Sequence, residues 1–351
     1  MDTRIISVRE EQIEEKDALL RQAGEILKNG GLVAFPTETV YGLGGDGLNK
    51  ESSKKIYAAK GHPSDNPLII HIADMEALPA IVKEVTPQVE RMAAAFWPGP
   101  LTMILPKSDK VPGETTGGLD TVAVRMPSNR VAGKLIQYGG GYVAAPSANT
   151  SGKPSPTLAK YVIEDMDGRI DMIIDGGEVG IGLESTIVDM TVEPPQILRP
   201  GFITEEMLKQ VLGTVDVDRT ILDNDSGLAP KAPGMKYRHY APKGQLTIVA
   251  GNPDRVVAYI NGQTEAAHRE GKKVGVIGSQ EQLDLYQGDS VKSAGCRNDE
   301  QAIAHNLYRI LREFDDEQVQ VIYSEAFDNG GMGQAIMNRL LKAAGHNKIL
   351  V

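Results

Sequence analysis

Short polar loops stand at the ends of several predicted strands, and they carry the side chains that proteins use to bind anions. Thr39, Lys60 and Ser147 lie in three of these loops, while Arg125 and Arg199 occur at the ends of two further strands. Ligands of open α/β sheets bind in the crevice outside the strand ends, so we expect these groups to meet there. Hydroxyl groups and cations brought together suit an anionic ligand that has several polar groups.

Each of these loops, taken alone, has an equally ordinary structural explanation. Ser147 and Asn149 are common turn formers, and Lys60 suits the carboxyl end of a helix. His71 lies inside an apolar strand, which is typical of a hydrogen-bonded core histidine. Counting the further loop 182–186, six such stretches in one chain are less easily explained in this way, and together they favour a binding site.

The segment 231–244 connects two regions that each have the pattern of a folded domain. Its prolines and glycines exclude a long helix or a central strand, yet it carries Tyr237, His239, Tyr240 and several cations. Because linkers are usually small and polar, rings and cations indicate a lid over an anionic ligand that contains a ring. A linker packed on its own domain explains the same composition equally well.

Several common site motifs are missing from the sequence. No G-x-x-x-x-G-K-[ST] phosphate loop and no G-x-S-x-G nucleophile motif occurs, and the six histidines lack metal-ligand spacing. A G-x-G-x-x-G string at 42–47, with Asp65 downstream, would suit a nicotinamide oxidoreductase. Residues 36–41 separate these glycines from the preceding strand, whereas the dinucleotide motif needs them at the strand end. We therefore discount this function.

The composition is that of an ordinary globular protein, and the length suits two domains or one large one. The chain has 351 residues, 41% of them hydrophobic and 24% charged. It has no run of eighteen apolar residues, no apolar signal-peptide region and a single cysteine, Cys296, so we expect a cytoplasmic protein without a membrane span. A net charge of −10 argues against a stable complex with nucleic acid.

Apolar periodicity predicts an α/β protein with a first domain over 1–212, a linker or lid over 213–243 and a smaller domain over 244–351. Several strands of the first domain lack intervening helices, which indicates a twisted mixed sheet with helices packed on it. Its predicted strands are 32–35, 68–72, 101–105, 121–125, 142–145, 172–175, 185–189 and 196–198. Its predicted helices are 11–28, 50–60, 74–84, 87–96, 129–138, 157–166 and 204–212.

The last domain alternates strands and helices more regularly. The predicted strands are 246–250, 273–277 and 319–323, and the predicted helices are 253–270, 299–316 and 333–344. This alternation is typical of a small, parallel, Rossmann-like doubly wound sheet.

Three of the loops resemble the signature loops of the YrdC-like family: Pro36-Thr-x-Thr-Val-Tyr-Gly42, Lys60-x-x62 and Ser147-x-Asn149. The segment Pro233-Gly-Met-Lys-Tyr-Arg-His-Tyr-Ala-Pro242 is similar to the hallmark of its long, two-domain branch, the threonylcarbamoyl-AMP synthases. The resemblance covers about residues 12 to 243, and residues 244–351 match only in size and α/β pattern. It implies a YrdC-like fold for the first domain.

The resemblance also implies a reaction. A nucleotidyltransferase of this family joins L-threonine, bicarbonate and ATP into threonylcarbamoyl-adenylate and releases pyrophosphate. The product passes to the machinery that modifies the tRNA adenosine next to the anticodon. Mg²⁺ would accompany ATP, held mainly by phosphates and waters. The alternative from another class is an RNA-binding module without ATP turnover.

Roles for individual residues follow from the same resemblance. Arg125 would pair with the threonine carboxylate and Lys60 would offset charge on phosphate or carbamate, so these two are the expected catalytic residues. The expected threonine-binding residues are Thr39, His71, Arg125, Ala145 and Ser185. The expected ATP-binding residues are Lys60, His62, Asn66, Thr121, Ser147, Asn149, Ser155, Arg199, Tyr237, His239 and Tyr240.

One position departs from the family pattern. The family usually has Lys-x-Arg where this chain has Lys60-Gly61-His62. Arginine is always charged and can bind a phosphate through two parallel hydrogen bonds, whereas histidine is only partly charged near neutrality. We expect either weaker, pH-dependent phosphate binding here or a compensating cation.

Overall fold

The computed structural model describes residues 2–61, 66–218, 240–328 and 330–351. His62, Tyr237 and His239, which were assigned to ATP above, lie outside these ranges, as does most of the predicted linker. The described residues form two compact units. The first unit contains residues 2–151, 155–180 and 184–218, and the second contains Gly152–Pro154, Ile181–Leu183 and residues 240–351.

The first unit alternates irregularly between strands and helices. Its strands are β1 (Arg4–Ser7), β2 (Val33–Phe35), β3 (Gly42–Asp46), β4 (Ile69–His71), β5 (Leu101–Pro106), β6 (Thr121–Arg125), β7 (Val143–Ala144), β8 (Met172–Asp175), β9 (Thr186–Asp189), β10 (Gln196–Arg199) and β11 (Asp216–Val217). Its helices are α1 (Asp17–Lys28), α2 (Lys50–Lys60), α3 (Leu78–Ile81), α4 (Pro87–Phe96), α5 (Gly113–Thr116), α6 (Arg130–Tyr138), α7 (Ala159–Met166) and α8 (Glu205–Leu212).

These strands form one mixed sheet in the order β1-β8-β2-β3-β7-β4-β6-β5-β9-β10-β11. The parallel pair β4–β6 adjoins the antiparallel pair β5–β6, so both pairings occur within the central strands. The α/β class and the mixed sheet that the sequence predicts are confirmed.

Helices cover both faces of the sheet at β2. Val33 and Phe35 pack in one apolar cluster with Leu135 of α6, while Ala34 packs in another with Ile56 of α2. Successive side chains of a strand point to opposite faces, so a strand that is apolar at every position belongs between two helical layers. This burial on both faces makes the central strands a rigid support for the loops at their ends.

The glycine-rich run at 42–47 was not predicted as a strand, but most of it forms one in the structure. Gly42–Asp46 is strand β3, paired antiparallel with β2. A Cβ at Gly44 would lie 2.9 Å from Phe35 Cε1 and 2.9 Å from Val143 Cγ1, so close packing of neighbouring strands requires glycine. A dinucleotide site needs such glycines in a strand-to-helix turn, so their position within a strand argues against a nicotinamide oxidoreductase.

Two predicted helices are shorter than expected. The Arg9 backbone N–H donates to Gln12 Oε1 and closes a separate 3₁₀ turn, so α1 begins only at Asp17. The helix that was predicted over 74–84 ends at Ile81 in the structure, because the backbone of Val82 is extended and pairs with Lys107. The short elements β1, β3, α5 and β11 were not predicted, since two to five residues carry little periodic signal.

The second unit contains a smaller, wholly parallel sheet. Its strands β12 (Gln245–Ala250), β13 (Val274–Ser279), β14 (Ser290–Gly295), β15 (Val321–Glu325) and β16 (Lys348–Leu350) are ordered β14-β13-β15-β12-β16. Its helices are α9 (Pro253–Arg269), α10 (Glu300–Asp316) and α11 (Gly333–Ala343). The predicted parallel, doubly wound architecture is confirmed, although the edge strands β14 and β16 were not predicted. No described helix has both the length and the apolar composition that crossing a bilayer requires.

The substitution Gly44→Ala tests the packing of β3. We expect it to lower the free energy of unfolding by about 1–3 kcal/mol, because the added Cβ overlaps Phe35 and Val143. Gly133→Ala on α6 is the matched control, since its Cβ would meet nothing within 4 Å and should stabilise by about 0.5–1 kcal/mol. Urea unfolding of both variants measures the difference. Equal effects at the two positions would show that β3 tolerates side chains.

Candidate active site

Three neighbouring strands place a row of polar side chains on one face of the sheet. His71 on β4 is opposite Arg125 on β6, and Arg125 is opposite Thr102 on β5. Residues that are directly opposite in paired strands point to the same face. Arg125 and His71 are each 4% exposed and Thr102 is fully buried. A charge this deeply buried requires partners, and those partners outline the site.

The loop after β2 brings Thr39 to this row. Thr37 Oγ1 accepts hydrogen bonds from the backbone N–H groups of Thr39 (3.1 Å) and Val40 (3.3 Å), which fixes the loop as a tight turn. Thr39 Oγ1 then accepts a hydrogen bond from Arg125 Nη1 at 2.8 Å. Arg125 Nε donates to Gly99 O at 3.4 Å. The guanidinium is therefore held from two sides.

Glu38 lies beside the same guanidinium. Its Oε1 is 2.7 Å from Arg125 Nη2, and the two side chains are 14% and 5% exposed. The two groups are close but poorly aligned: within the described residues, neither Glu38 oxygen and neither proton of Arg125 Nη2 makes a hydrogen bond. The carboxylate thus balances the charge of Arg125 without occupying its remaining donor.

His71 is a neutral ring in this site. Burial, and then the charge of nearby Arg125, lowers the pKa of His71 to about 3. Its Nδ1 lies 3.1 Å from Ile69 O, and its ring meets Phe35 edge-on at 6.3 Å between centroids. Ala145 lies next to this strand, because its backbone N–H donates to Ile69 O at 2.9 Å. The histidine therefore adds a polar but uncharged surface beside Arg125.

Ser185 links this row to a second buried arginine. Its Oγ lies 2.8 Å from Thr102 Oγ1, across the β5–β9 boundary. Arg199 Nη2 donates to Ser185 Oγ at 3.1 Å and Arg199 Nε donates to Ser185 O at 3.0 Å. Arg199 is 5% exposed. Hydrogen bonds therefore join this second buried guanidinium, through Ser185, to Thr102, the residue opposite Arg125.

A third cluster brings together the lysine and the serine–asparagine loop. Lys60 is the last residue of α2, followed by Gly61 in the left-handed conformation, and it is 8% exposed. Its Nζ donates to Ser147 O at 2.5 Å and to Asn149 O at 2.7 Å. The loop is held against β3 by hydrogen bonds from Leu43 N to Pro146 O and from Ala148 N to Tyr41 O. Hydrogen bonds therefore hold together two of the loops that resemble the family, 36–42 and 147–149, and Lys60, which is expected to bind phosphate.

Other expected ATP-binding residues have hydrogen bonds or positions of their own. Ser155 is buried and its Oγ donates to Glu184 Oε1 at 2.5 Å. Thr121 begins β6, at the opposite end of the strand from Arg125. Within the described chain, no side-chain hydrogen bond joins Thr121 or Asn66 to the clusters above.

Tyr240 begins the described part of the second unit and has a left-handed backbone with φ 64°. Its ring stacks on Tyr308 of α10, with centroids 5.1 Å apart and planes at 28°. An aromatic stack of this kind fixes the ring within its own unit.

Two residues of the site were not singled out from the sequence. Glu38 lies in the loop that resembles a signature loop of the family, but nothing in the sequence marks its contact with Arg125. Thr102 is the single polar residue of the apolar strand β5, and only its register opposite Arg125 shows that it belongs to the site.

The arrangement suits a ligand that carries at least one carboxylate or phosphate. Fixed guanidinium and ammonium groups in a buried setting bind such anions strongly, because water competes poorly there. In the parts of the chain that the structure covers, no three His, Cys, Asp or Glu side chains are arranged to hold a metal ion.

The neutral state of His71 gives a pH prediction. In the unfolded chain its pKa is about 6.5, above the folded value of about 3. Between these values the unfolded state binds a proton that the folded state refuses, so the folded protein loses stability as pH falls below 6.5. We expect the His71 ring resonances in NMR spectra to stay unchanged from pH 8 to pH 5. A titration midpoint near pH 6.5 in the folded protein would show that the ring is accessible to protons.

Known proteins match this chain over nearly its whole length. Residues 25–201 match the Sua5/YciO/YrdC family model, described as telomere recombination, and residues 203–345 match the model described as the threonylcarbamoyl-AMP synthase C-terminal domain. The threonylcarbamoyl-AMP synthase of Pyrococcus abyssi is 50% identical over 349 residues, covering 99% of this chain and 100% of its own length. That of Bacillus subtilis is 46% identical over 95% of each chain.

A solved structure shows the same fold. The crystal structure of P. abyssi Sua5 complexed with L-threonine is 48% identical to this chain, with a TM-score of 0.92 over 99% of this chain and 100% of that one. The match extends through both units. The chain therefore belongs to the threonylcarbamoyl-AMP synthase family.

Proposed function

We propose that this protein is an enzyme that makes L-threonylcarbamoyladenylate from L-threonine, bicarbonate and ATP, with release of pyrophosphate. The observation that carries the proposal is the buried cluster of Arg125, Thr39 and neutral His71 in a chain of this family. Such a cluster binds a small carboxylate beside a polar, uncharged surface. L-threonine, the compound bound in the related P. abyssi structure, has a carboxylate of this kind.

On the threonine side, Arg125 receives the α-carboxylate. Its Nη1 is already oriented by Thr39, so little side-chain entropy is lost when the substrate binds. His71, Ala145 and Ser185 surround this position through adjoining strands and contacts. The neutral imidazole avoids placing a second positive charge next to Arg125.

On the nucleotide side, we assign phosphate binding to Lys60, Ser147 and Asn149; hydrogen bonds from Lys60 to the other two support this assignment. Arg199 supplies a second cation, and Asn66, Thr121 and Ser155 are assigned to ATP from the family resemblance alone. His62, Tyr237 and His239 lie outside the described residues, and their assignment likewise depends on the sequence resemblance. Mg²⁺ belongs to the nucleotide substrate, coordinated by phosphate oxygens and water.

The chemistry needs positioning more than covalent catalysis. The neutral threonine amine adds to bicarbonate and releases water, which gives an N-carboxylate. One carboxylate oxygen then attacks the α-phosphorus of ATP as the bond to pyrophosphate breaks. Phosphoryl-type transfers depend mainly on alignment and on stabilisation of charge, which is what fixed Lys and Arg side chains provide. The carbamoyl-adenylate then serves a later transfer of its threonylcarbamoyl group to a tRNA adenosine.

The first prediction for this function is a joint requirement for substrates. Pyrophosphate release should need ATP, L-threonine and bicarbonate together, because the attacking nucleophile forms only from the last two. Coupled detection of pyrophosphate, with each component omitted in turn, measures this. An unchanged rate without threonine would contradict the assigned reaction, and RNA binding with no pyrophosphate release would favour the RNA-binding alternative.

The second prediction separates the roles of Lys60 and Arg125. Lys60→Ala should mainly lower kcat, because Lys60 faces charge that develops during transfer. Arg125→Ala should mainly raise the KM for threonine, roughly 10–100-fold, because a hydrogen bond to a charged group contributes about 1.5–3 kcal/mol. Lys54→Ala is the matched control on α2 and should leave both constants unchanged, since Lys54 is a surface residue paired with Glu51. Wild-type kinetics in both site variants would remove the two residues from the site.

A further inference from the structure

Two buried groups in the site keep hydrogen-bonding capacity that the described protein does not use. Among the residues that the structure describes, both carboxylate oxygens of Glu38 and the Nη2 group of Arg125 lack hydrogen-bond partners. Their side chains are 14% and 5% exposed. Buried polar groups in native proteins are nearly always hydrogen-bonded, so an unsatisfied acceptor and an unsatisfied donor at one place require an explanation.

The geometry shows why the two groups do not satisfy each other. Arginine and carboxylate usually pair through two parallel hydrogen bonds. Here Arg125 Nη1 is committed to Thr39 Oγ1 and Nε to Gly99 O, so the guanidinium plane is set by other partners. Glu38 comes from the Thr37–Val40 turn and reaches Nη2 at 2.7 Å with poor alignment. The two charges are opposite and close, but the Glu38 carboxylate and Arg125 Nη2 remain available, side by side, as an acceptor and a donor for a ligand.

A ligand that completes this pair must bring a cationic donor for Glu38 and an anionic acceptor for Arg125 a few ångströms apart. An α-amino acid does this, because its ammonium and carboxylate groups are bonded to the same carbon atom. We propose that Glu38 binds the α-ammonium group of the amino acid substrate while Arg125 Nη2 binds its carboxylate. The inference extends the proposed function, and on that basis the amino acid is L-threonine.

The competing explanation gives Glu38 no contact with substrate. In that case it is only a counterion that keeps the charge of Arg125 balanced. The two explanations predict different ligand affinities when Glu38 is replaced by glutamine, its neutral isostere. A counterion, once neutralised, frees Arg125 to bind every carboxylate more tightly, whether or not the ligand carries an ammonium group. A group that binds ammonium, once neutralised, weakens only the ligands that carry one.

Isothermal titration calorimetry at fixed pH tests this with two ligands. The probes are L-threonine and (R)-3-hydroxybutyrate, which is L-threonine without its ammonium group. We expect the wild-type protein to bind L-threonine at least tenfold more tightly than (R)-3-hydroxybutyrate. In Glu38→Gln the threonine affinity should fall 10–100-fold while the hydroxybutyrate affinity holds or rises, so that the preference disappears. Glu25→Gln, which removes a surface carboxylate paired with Lys28, should keep the wild-type preference.

The outcomes are distinguishable. A preference for threonine that survives in Glu38→Gln overturns the inference and leaves the proposed function standing. Wild-type protein that binds the two ligands equally also overturns the inference, and this arm needs no variant that might misfold. Wild-type protein that does not bind threonine at all overturns the proposed function and the inference with it.

Discussion

The first unit is organised around the charge of one buried guanidinium. Arg125 is 4% exposed in the middle of a sheet whose neighbouring strands are apolar. Removing such a group from water costs several kcal/mol unless hydrogen bonds and an opposite charge compensate. Thr39, Gly99 and Glu38 supply that compensation from two loops, so the positions of those loops are tied to the arginine. Burial, and then the same charge, lowers the pKa of His71 and keeps that ring neutral.

The mixed sheet explains how residues far apart in sequence meet at this charge. His71, Arg125 and Thr102 are brought together by strand register alone, which the apolar layers on both faces hold fixed. Loops then add Thr39 and Ser185 at the strand ends. Close packing requires glycine at Gly44 in β3, and the Lys60 cluster packs against the start of that strand. Binding groups thus lie on elements that a ligand cannot easily displace.

Much of this arrangement could be predicted from the sequence, because long apolar segments specify their own secondary structure. The strand that ends at Arg125 and the helix that ends at Lys60 have the predicted bounds. The glycine strand β3 was missed because glycine has low strand propensity, and only contact with Phe35 and Val143 shows why it is needed. The Glu38–Arg125 pair was missed because residues 87 positions apart meet only through the order of strands. Site roles for His62, Tyr237 and His239 remain predictions from sequence, since these residues lie outside the described ranges.

The central claim is that Arg125 and its neighbours form the binding site for the amino acid substrate. A crystal structure of this protein with L-threonine alone tests it most directly. We expect a threonine carboxylate oxygen about 3 Å from Arg125 Nη2 and the ammonium group facing Glu38, with the Thr39–Arg125 hydrogen bond retained. Threonine bound away from Arg125, with Glu38 and Arg125 Nη2 still lacking hydrogen-bond partners, would contradict the account.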